Sequence, residues 1–310
     1  MSTPALGFGL PVSGSWATPQ TMVWFAREAE AAGYESLWAF QRLLHPVDGA
    51  WGPMYRSVHD PLVSLAHVAA VTERVRLGVA ILNMPYYAPV VLAKQLSTLD
   101  AVSAGRLDVG LGLGWAPEEF TAVGMPYERR GARGEEFLAC LKTIWADDPV
   151  QFDGEFYTVP ASYIDPKPVQ RPHPPLLLGG SAERALRRVG RLADGWVSAS
   201  RHDLSRIGEA ITVIKDAAAE AGRDVDALRF VVRGTVLLDE ELRGRDGGRR
   251  LLTGAAGLIR KDLVRLGEEG VTQVFLDANF DPAIGSPDAD PTASTERARR
   301  LLETFAPAAL

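Results

Sequence analysis

Apolar and polar positions along this chain follow two alternating periods. Short runs that are apolar at nearly every position recur at intervals of about 20 to 40 residues, the spacing expected of βα units. Between them lie longer stretches whose apolar positions return every three or four residues. The short runs are typical of strands buried on both faces, and the longer stretches are typical of amphipathic helices. This order predicts repeated βα units around a parallel sheet.

Eight buried strands can be placed on the pattern, and each is followed by a helical stretch. The strands are predicted to begin at Leu6, Ser36, Arg76, Arg106, Pro174, Gly195, Arg229 and Thr272. Several helix starts carry recognisable caps, because Thr18 precedes Pro19 and Asp60 precedes Pro61. Eight strands with following helices predict a (β/α)8 TIM barrel, with residues 1–310 as a single domain.

The rhythm is interrupted once, after the fourth strand. Helical stretches over 117–124 and 132–147 are followed by a predicted hairpin around Asp153 and Gly154, and then by a proline-rich segment. We interpret residues 147–175 as an insertion that forms a lid over one mouth of the barrel, because long loops in compact domains are often functional.

Composition and charge narrow the class of partner. The formal net charge of -6 and the pI near 5.5 argue against a nucleic-acid or anionic-membrane surface, either of which favours a basic excess. No signal-peptide pattern and no membrane-length apolar run are present, and Cys140 is the single cysteine. We expect a soluble cytoplasmic protein that acts on a small molecule. The helical faces of such barrels often pair, so a homodimer is one open expectation for the oligomeric state.

Active sites of such barrels lie at the carboxyl ends of the strands. Candidate residues placed there are Phe40, Arg42, His45, Ala80, Ile81, Asn83, Trp115, Glu118, Ser200 and Arg201. Of the histidines, His45 is the one positioned to donate a proton in the mouth. The chain shows no metal-ligand spacing and no nucleophile signature, so we expect the difficult chemistry to come from a cofactor.

Three glycines follow one another at a spacing of two in the fourth strand: Gly110, Gly112 and Gly114. Such spacing removes side chains from one face of a strand, which we interpret as a bare face against a flat ring, capped by Trp115. A G-x-G-x-x-G dinucleotide fingerprint needs a different spacing, so a Rossmann site is not expected.

A second glycine motif, Gly179-Gly180-Ser181, leads from the fifth strand into a helix. Free backbone N–H groups and the helix dipole favour an anion at such a turn, so a phosphate site is predicted. The alternative is a tight turn with Ser181 as the helix N-cap. Arg201 and His202 would either add positive charge or form a solvated pair.

Several segments together resemble the bacterial luciferase-like family, and within it the coenzyme F420-dependent oxidoreductases. They are RLGVAILNMP, PVVLAKQLSTLDAVSAGRLDVGLGLGW, PEEF, RRGARGEEF and PPLLLGGSAERALRRVGRLADGW. The resemblance covers about residues 5 to 200, whereas the last third matches only in its strand and helix rhythm. It implies a luciferase-like barrel that holds a flavin or 5-deazaflavin at its C-terminal mouth.

The resemblance also implies where the cofactor lies. A non-prolyl cis peptide is expected at Ala80-Ile81, against the back of the ring. The cofactor phosphate is expected on the turn of Gly179, Gly180 and Ser181. The glycine strand and Asn83 would line the ring.

The chain departs from the family pattern after the second strand. Many relatives carry an acid-histidine pair where this chain has Gln41-Arg42. Arg42 could attract an anionic reduced cofactor or the substrate, and His45 could act as the acid. Arg130 and Arg133 are read with Glu118 and Glu119 mainly as a structural ion-pair set, with a share of substrate contact for Glu118.

The leading functional hypothesis is an oxidoreductase that transfers hydride between coenzyme F420, an 8-hydroxy-5-deazaflavin, and a small organic substrate. The first alternative is an FMN-dependent monooxygenase of the same fold, and the second is a barrel that binds the cofactor without catalysis. The substrate stays open, because aromatic walls fit many organic molecules. The aromatic residues expected there are Trp51, Tyr55, Tyr86, Tyr87 and Phe120.

Overall fold

In the computed structural model, which describes residues 3–244 and 247–307, parallel strands close into a barrel. The strands, in chain order, are β1 (Ala5–Gly9), β2 (Ser36–Ala39), β3 (Arg76–Asn83), β4 (Leu107–Gly112), β5 (Val150–Asp153), β6 (Thr158–Ser162), β7 (Leu176–Gly179), β8 (Gly195–Val197), β9 (Arg229–Gly234), β10 (Leu237–Leu238), β11 (Thr253–Gly254) and β12 (Gln273–Leu276). The order around the barrel is β1, β2, β3, β4, β7, β8, β9 and β12, which pairs again with β1. Each predicted strand supplies one of these eight, so the predicted fold class is confirmed.

Helices cover the outside of the barrel. They are α1 (Pro19–Ala31), α2 (Pro61–Ala69), α3 (Pro89–Val102), α4 (Pro117–Ala122), α5 (Arg130–Ala146), α6 (Glu183–Leu192), α7 (Ile207–Glu220), α8 (Ala256–Glu268) and α9 (Pro291–Thr304). The predicted caps form, since Thr18 accepts a hydrogen bond from the Thr21 N–H and Asp60 accepts one from the Val63 N–H. No helix in the described ranges is long and apolar enough to cross a membrane.

The barrel interior has its own small core, separate from the larger core between strands and helices. Trp38 stacks on Phe275 with ring centroids 5.1 Å apart, and Leu177, Val197 and Val231 pack in the same cluster. These side chains fill the centre of the barrel, so any ligand site must lie above them, at the carboxyl ends of the strands.

The insertion has contacts at both ends of the barrel, since Glu155 pairs with the cavity-lining Arg129 and Gln170 lies at the start of β4. The predicted hairpin forms as β5 and β6. Further along, Gln170 donates to the carbonyl of Leu107 at the start of β4 and to the buried Asp100 carboxylate. Residues 147–175 supply none of the described residues that line the cavity found at the mouth. The later part of the segment is held at the opposite end by Asp100 and the Arg76 side chain, and the lid expected from the sequence stays a prediction.

The predicted strand that starts at Arg229 is shorter than its apolar run. β9 ends at Gly234, and Leu237–Leu238 pair with β11 outside the barrel. The residues of β10 are also partly buried, so they extend the apolar run of β9. Hydrophobic periodicity alone cannot distinguish such a strand from a strand of the barrel.

Candidate active site

A cavity of about 660 Å³ opens where β2, β3, β4, β7, β8 and β9 end. Most of the predicted cofactor residues line it: Phe40, Ala80, Ile81, Asn83, Gly112, Gly114, Trp115, Gly179, Gly180, Ser181 and Ser200. Arg42, from the predicted catalytic set, lines it as well. The ends of separate strands thus bring residues from Phe40 to Ser200 to one space.

Three predicted site residues lie outside the lining. His45 is held within its own loop, where its ring nitrogens lie 3.0 Å from the Pro46 carbonyl oxygen and 3.3 Å from that of Trp51. Glu118 lies on the exposed side of α4, whereas the next residue, Glu119, is buried. Arg201 is exposed beyond the loop after β8. The structure thus does not bring these three residues into the described lining, and their roles stay predictions.

The floor of the cavity is formed by an irregularity in β3. The pairing register of β3 with β4 shifts between Val79 and Leu82, and the peptide Ala80-Ile81 is cis, as the resemblance implied. Ile81 points into the notch left by the glycines of β4: a Cβ added at Gly112 would collide with Ile81 Cδ1, and one at Gly110 with the Val79 carbonyl oxygen.

The glycine strand therefore has a different function from the one expected. Its missing side chains make room for the protein's own β3, and the space beside Gly114 is taken by Phe120 and Tyr86. Gly112 and Gly114 still line the cavity. They contribute backbone atoms beside Ile81 and do not form an open strand face. The expectation of a bare strand against the ring is thus corrected, because the bulge of β3 occupies that face.

The turn after β7 has the properties of an anion site. Gly180 adopts a φ of +140°, and a Cβ there would lie 2.6 Å from Ala185 Cβ, so only glycine fits. The N-cap of α6 is Ala182, with no side-chain capping bond, and not Ser181 as one alternative proposed. Ser181 is exposed to the cavity, and uncapped N–H groups at a helix N-terminus attract anions.

Every ionisable side chain in the described lining other than the Tyr55 phenol is an arginine. These are Arg42, Arg129, Arg130, Arg184, Arg188 and Arg233. Arg129 pairs with Glu155 at 2.5 Å and Arg188 with Glu135 at 2.8 Å, whereas Arg184 has no ion-pair partner among the described residues. No carboxylate or imidazole belongs to this described lining. Since Arg42 and Arg233 also face carboxylates, the positive charge without an ion-pair partner among the described lining residues is that of Arg130 and Arg184.

Arg42 lies over three aromatic rings on the β2 side of the cavity. Its Cζ is 5.5 Å from the ring centroid of Trp51, 5.2 Å from that of Tyr55 and 4.9 Å from that of Trp115. We call these three rings the aromatic triangle. Its Nη1 lies 3.3 Å from Oε2 of Glu119, whose side chain is fully buried.

The predicted ion-pair set is therefore different in detail. Glu119 binds Arg42, while Arg133 donates to the backbone carbonyls of Pro126 and Glu128 and Arg130 lies over the Tyr127 ring. Burial, followed by the Glu119 carboxylate that accepts its hydrogen bond, raises the pKa of Tyr86.

The predicted aromatic wall is only partly correct. Tyr55 lines the cavity, whereas Tyr87 binds Gln41 and Phe120 is buried. Gln41 in turn accepts from the Asn83 N–H at 2.9 Å, which ties the end of β2 to the end of β3.

Arg233 is the functional candidate that sequence reasoning missed. It lies on β9, is only 9% exposed, donates to the carbonyl of Ala80, and has its Nε 3.4 Å from the Asp277 carboxylate. The available signal was an arginine inside the buried run RFVVRG, where a charge needs a partner. Arg184 and Arg188, one helical turn apart after the glycine turn, were a second signal.

Comparison with known proteins gives a consistent family. The model of the luciferase-like monooxygenase family matches residues 2–243. An uncharacterized protein of Mycobacterium tuberculosis is 36% identical over 211 residues, covering 64% of this chain and 74% of that protein. An FMNH2-dependent dimethylsulfone monooxygenase of Pseudomonas putida is 36% identical over 167 residues, covering 53% of this chain and 46% of that enzyme. An F420-dependent glucose-6-phosphate dehydrogenase of Kineococcus radiotolerans is 29% identical, covering 76% of this chain and 69% of that enzyme.

Solved structures agree in fold. A monooxygenase from Streptomyces bottropensis superposes with a TM-score of 0.79 at 22% identity, covering 98% of this chain and 99% of that one. An F420-dependent secondary alcohol dehydrogenase superposes with a TM-score of 0.77 at 18% identity, covering 96% of this chain and 98% of that one. At these identities the likeness establishes the barrel and not the cofactor.

Proposed function

The chain belongs to the luciferase-like monooxygenase family, and from this premise we propose that it is an oxidoreductase that uses coenzyme F420. The proposed reaction moves a hydride between this 8-hydroxy-5-deazaflavin and a small organic substrate. Relatives that use F420 and relatives that use FMN both resemble the chain, so the choice between the cofactors depends on the cavity.

The residues present fit a group of this kind. A volume of about 660 Å³ lies within the usual range for cofactor and ligand pockets. The turn of Gly180 and Ser181 would hold the phosphate, and Ile81 with the backbone of Gly112 would support the ring system from below. When bound, the deazaflavin supplies or accepts two electrons as hydride.

One observation favours coenzyme F420 over FMN. Arg130 and Arg184 line the same cavity as the anion turn and have no ion-pair partner among the described residues, whereas Arg129 and Arg188 are paired with Glu155 and Glu135. Coenzyme F420 extends beyond its phosphodiester into a chain of glutamates, whose carboxylates suit a row of guanidinium groups. Arg184 is exposed and unpaired among the described residues, so it is available to such a chain.

The protein's own contribution would be to hold both reactants and limit water. Phe40, Tyr55 and Trp115 form the apolar wall above the strand ends, and the buried interior core closes the cavity from below. Among the lining residues described, the groups that carry a transferable proton at neutral charge are the Tyr55 phenol and the hydroxyls of Ser181, Ser198 and Ser200.

The second candidate is an FMN-dependent monooxygenase. It is supported by the 36% identity to the Pseudomonas putida enzyme, although the chain spans about half the length of that relative. The anion turn alone would be sufficient for the single phosphate of FMN.

Titration of the purified protein with oxidised coenzyme F420 and with FMN, followed by cofactor fluorescence, separates the two. We expect F420 to bind at least about tenfold more tightly, a difference of roughly 1.4 kcal/mol. Substituting Arg130 and Arg184 together by Ala should remove most of that preference, because the glutamate chain loses its cations.

Arg187→Ala is the matched control, since Arg187 lies on the same helix but pairs with Glu220 away from the cavity. It should leave both affinities unchanged. Tight binding of FMN without binding of F420 would reject the deazaflavin assignment in favour of the monooxygenase.

A further inference from the structure

The Arg42 guanidinium is buried but incompletely hydrogen-bonded. Its side chain is 7% exposed, and its Nε donates to the Gln41 carbonyl oxygen at 3.1 Å. Its Nη1 is fully buried and has no hydrogen-bond partner among the described residues, although it lies 3.3 Å from Glu119. Since Nη1 faces the Glu119 carboxylate and is closed to solvent, the donor that a ligand in the cavity can reach is Nη2, which makes no hydrogen bond with the described residues.

Glu119 faces the Nη1 side of the guanidinium and also accepts hydrogen bonds from two other donors. Its Oε1 accepts from the Leu43 N–H at 2.8 Å and its Oε2 from the Tyr86 hydroxyl at 2.9 Å. The carboxylate therefore orients Arg42 and offsets its charge, while the geometry leaves guanidinium donors available. This differs from a closed ion pair, in which fork and carboxylate meet in two parallel bonds.

Arg42 follows a different strand from the turn proposed to hold the cofactor phosphate. Arg42 follows β2, whereas the anion turn follows β7, and β3 and β4 lie between these strands in the barrel. The positive charge needed at the anion turn is already present in Arg130 and Arg184. Arg42 thus faces the part of the cavity that remains for the substrate when the cofactor phosphate lies on the anion turn.

The walls around Arg42 indicate the shape of the partner. The aromatic triangle lies along the guanidinium, and Trp115, which is 50% exposed, reaches toward the opening. Aromatic rings on a guanidinium face leave its edge for ligands, and that edge matches a planar carboxylate. Of the three rings, those of Tyr55 and Trp115 line the cavity and offer flat apolar surface to an aromatic or conjugated body.

We propose, as an extension of the proposed oxidoreductase function, that Arg42 binds the carboxylate of a planar aromatic or conjugated substrate and so selects that substrate class. Glu119 and Tyr86 position Arg42 for this contact without touching the substrate. Tyr55 and Trp115 of the aromatic triangle receive the body of the substrate and set its plane.

The test is calorimetric binding of trans-cinnamate and of its primary amide, which has the same shape without the charge, to the protein alone and to the protein saturated with whichever of coenzyme F420 and FMN it binds. Cinnamate should bind at least about tenfold more tightly than the amide. Arg42→Gln should abolish this preference, and Arg42→Lys should keep a smaller one, because it retains the charge but not the fork. Thermal unfolding of each variant checks that it is folded.

Arg56→Gln serves as the matched control, because Arg56 is exposed in the same loop region and pairs with Asp288. It should keep the full preference for cinnamate. Equal binding of acid and amide to the unmodified protein would overturn the proposal, as would tighter binding of phenyl phosphate than of cinnamate. A loss of cofactor affinity in Arg42→Gln as large as the loss of cinnamate affinity would assign Arg42 to the cofactor instead.

The outcome is separable from that of the proposed function. Coenzyme F420 binding is measured by its own fluorescence, in the absence of cinnamate. If F420 fails to bind while the acid preference persists and depends on Arg42, the cofactor assignment fails and the substrate inference stands.

Discussion

Arg233 shows how one buried charge can be supported from several sides. Its Cζ lies 5.3, 5.5 and 5.0 Å from the ring centroids of Phe40, Phe275 and Phe280. Its charge faces Asp277, and burial raises the pKa of that carboxylate, an effect that Arg233 and the hydrogen bonds from Asn279 only partly offset. The pair lies directly beneath the cavity, where Arg233 also lines the floor.

Arg233→Leu should destabilise the fold by about 3 to 5 kcal/mol near pH 8, because it leaves the Asp277 charge buried without a partner. Without Arg233 the folded-state pKa of Asp277 rises further above its unfolded value, so the folded state holds the proton more tightly. The variant should therefore lose stability as pH rises through that folded pKa and regain it in acid. Denaturant unfolding at pH 5 and pH 8 measures this.

Adding Asp277→Asn to Arg233→Leu supplies the control, since the neutral amide removes both the charge and the titration. The double variant should recover stability at pH 8 and lose the pH dependence. A penalty of equal size at both pH values, and not relieved by Asp277→Asn, would show that Arg233 acts through packing alone.

Among the elements, β3 and β4 must be understood as a pair. The β3 irregularity drives Ile81 toward β4, and Gly110 and Gly112 provide the notch that receives it. Gly179 on β7 borders the same side chain, since a Cβ there would lie 3.3 Å from Ile81 Cγ2. Three strands thus determine where the floor of the cavity lies.

Gly112→Ala should lower both stability and cofactor affinity. The new methyl group competes with Ile81 Cδ1 for the same space, and overpacking of this kind costs about 1 to 3 kcal/mol. Adding Ile81→Ala should restore part of the stability by vacating the notch. Thermal unfolding and a cofactor titration measure the two effects.

Gly257→Ala is the matched control for this substitution. Gly257 lies in α8 with no neighbouring atom within 4 Å of an added Cβ, and alanine favours a helix. Its stability should be unchanged or slightly higher. If the Gly112→Ala protein were as stable as the unmodified protein, the interpretation of Gly112 as the space that receives Ile81 would be wrong.

For the whole molecule, the end of the barrel opposite the cavity is held by one buried carboxylate. Asp108 on β4 binds Arg76 on β3 at 2.6 Å and Arg229 on β9 at 2.7 Å. Burial alone would raise the pKa of Asp108, but hydrogen bonds from Arg229 and Arg76 outweigh it and hold the pKa below its ordinary value. Strands that are not neighbours in the barrel are joined in this way.

Asp108→Asn should cost about 3 to 5 kcal/mol at neutral pH, because two guanidinium groups lose their anion. Since the folded pKa of Asp108 is depressed, its contribution is present above the unfolded pKa near 3.9 and is lost as pH falls through the folded pKa. Urea unfolding between pH 3 and pH 7 should therefore give a flatter profile for the variant than for the unmodified protein. Parallel profiles would contradict the assignment.

Charge is also distributed unevenly over the molecule. The chain has a net charge of -6, yet the described lining of its cavity includes no carboxylate, and Arg130 and Arg184 in it have no ion-pair partner among the described residues. Low-dielectric walls focus such a field toward the mouth, which favours entry of anionic molecules. Both proposals, for the cofactor tail and for the substrate carboxylate, depend on this asymmetry.

Local order along the chain was readable from the residues themselves. The two hydrophobic periods predicted all eight barrel strands, and Thr18 and Asp60 marked helix starts, because strand and helix periods and caps depend on neighbours within a few residues. The anion turn at Gly179 to Ser181 was visible for the same reason, since its glycines and its helix are adjacent in the chain.

Tertiary structure alone decided which of these residues meet. That Glu119 and not Glu118 faces Arg42, and that Gly112 receives Ile81 and not a ring, depends on helix rotation and on the register of β3 against β4. The cluster of Arg42, Arg184 and Arg233 joins positions up to 191 residues apart, the difference between 233 and 42. Only barrel closure brings such positions together, and closure is a property of all eight strands at once.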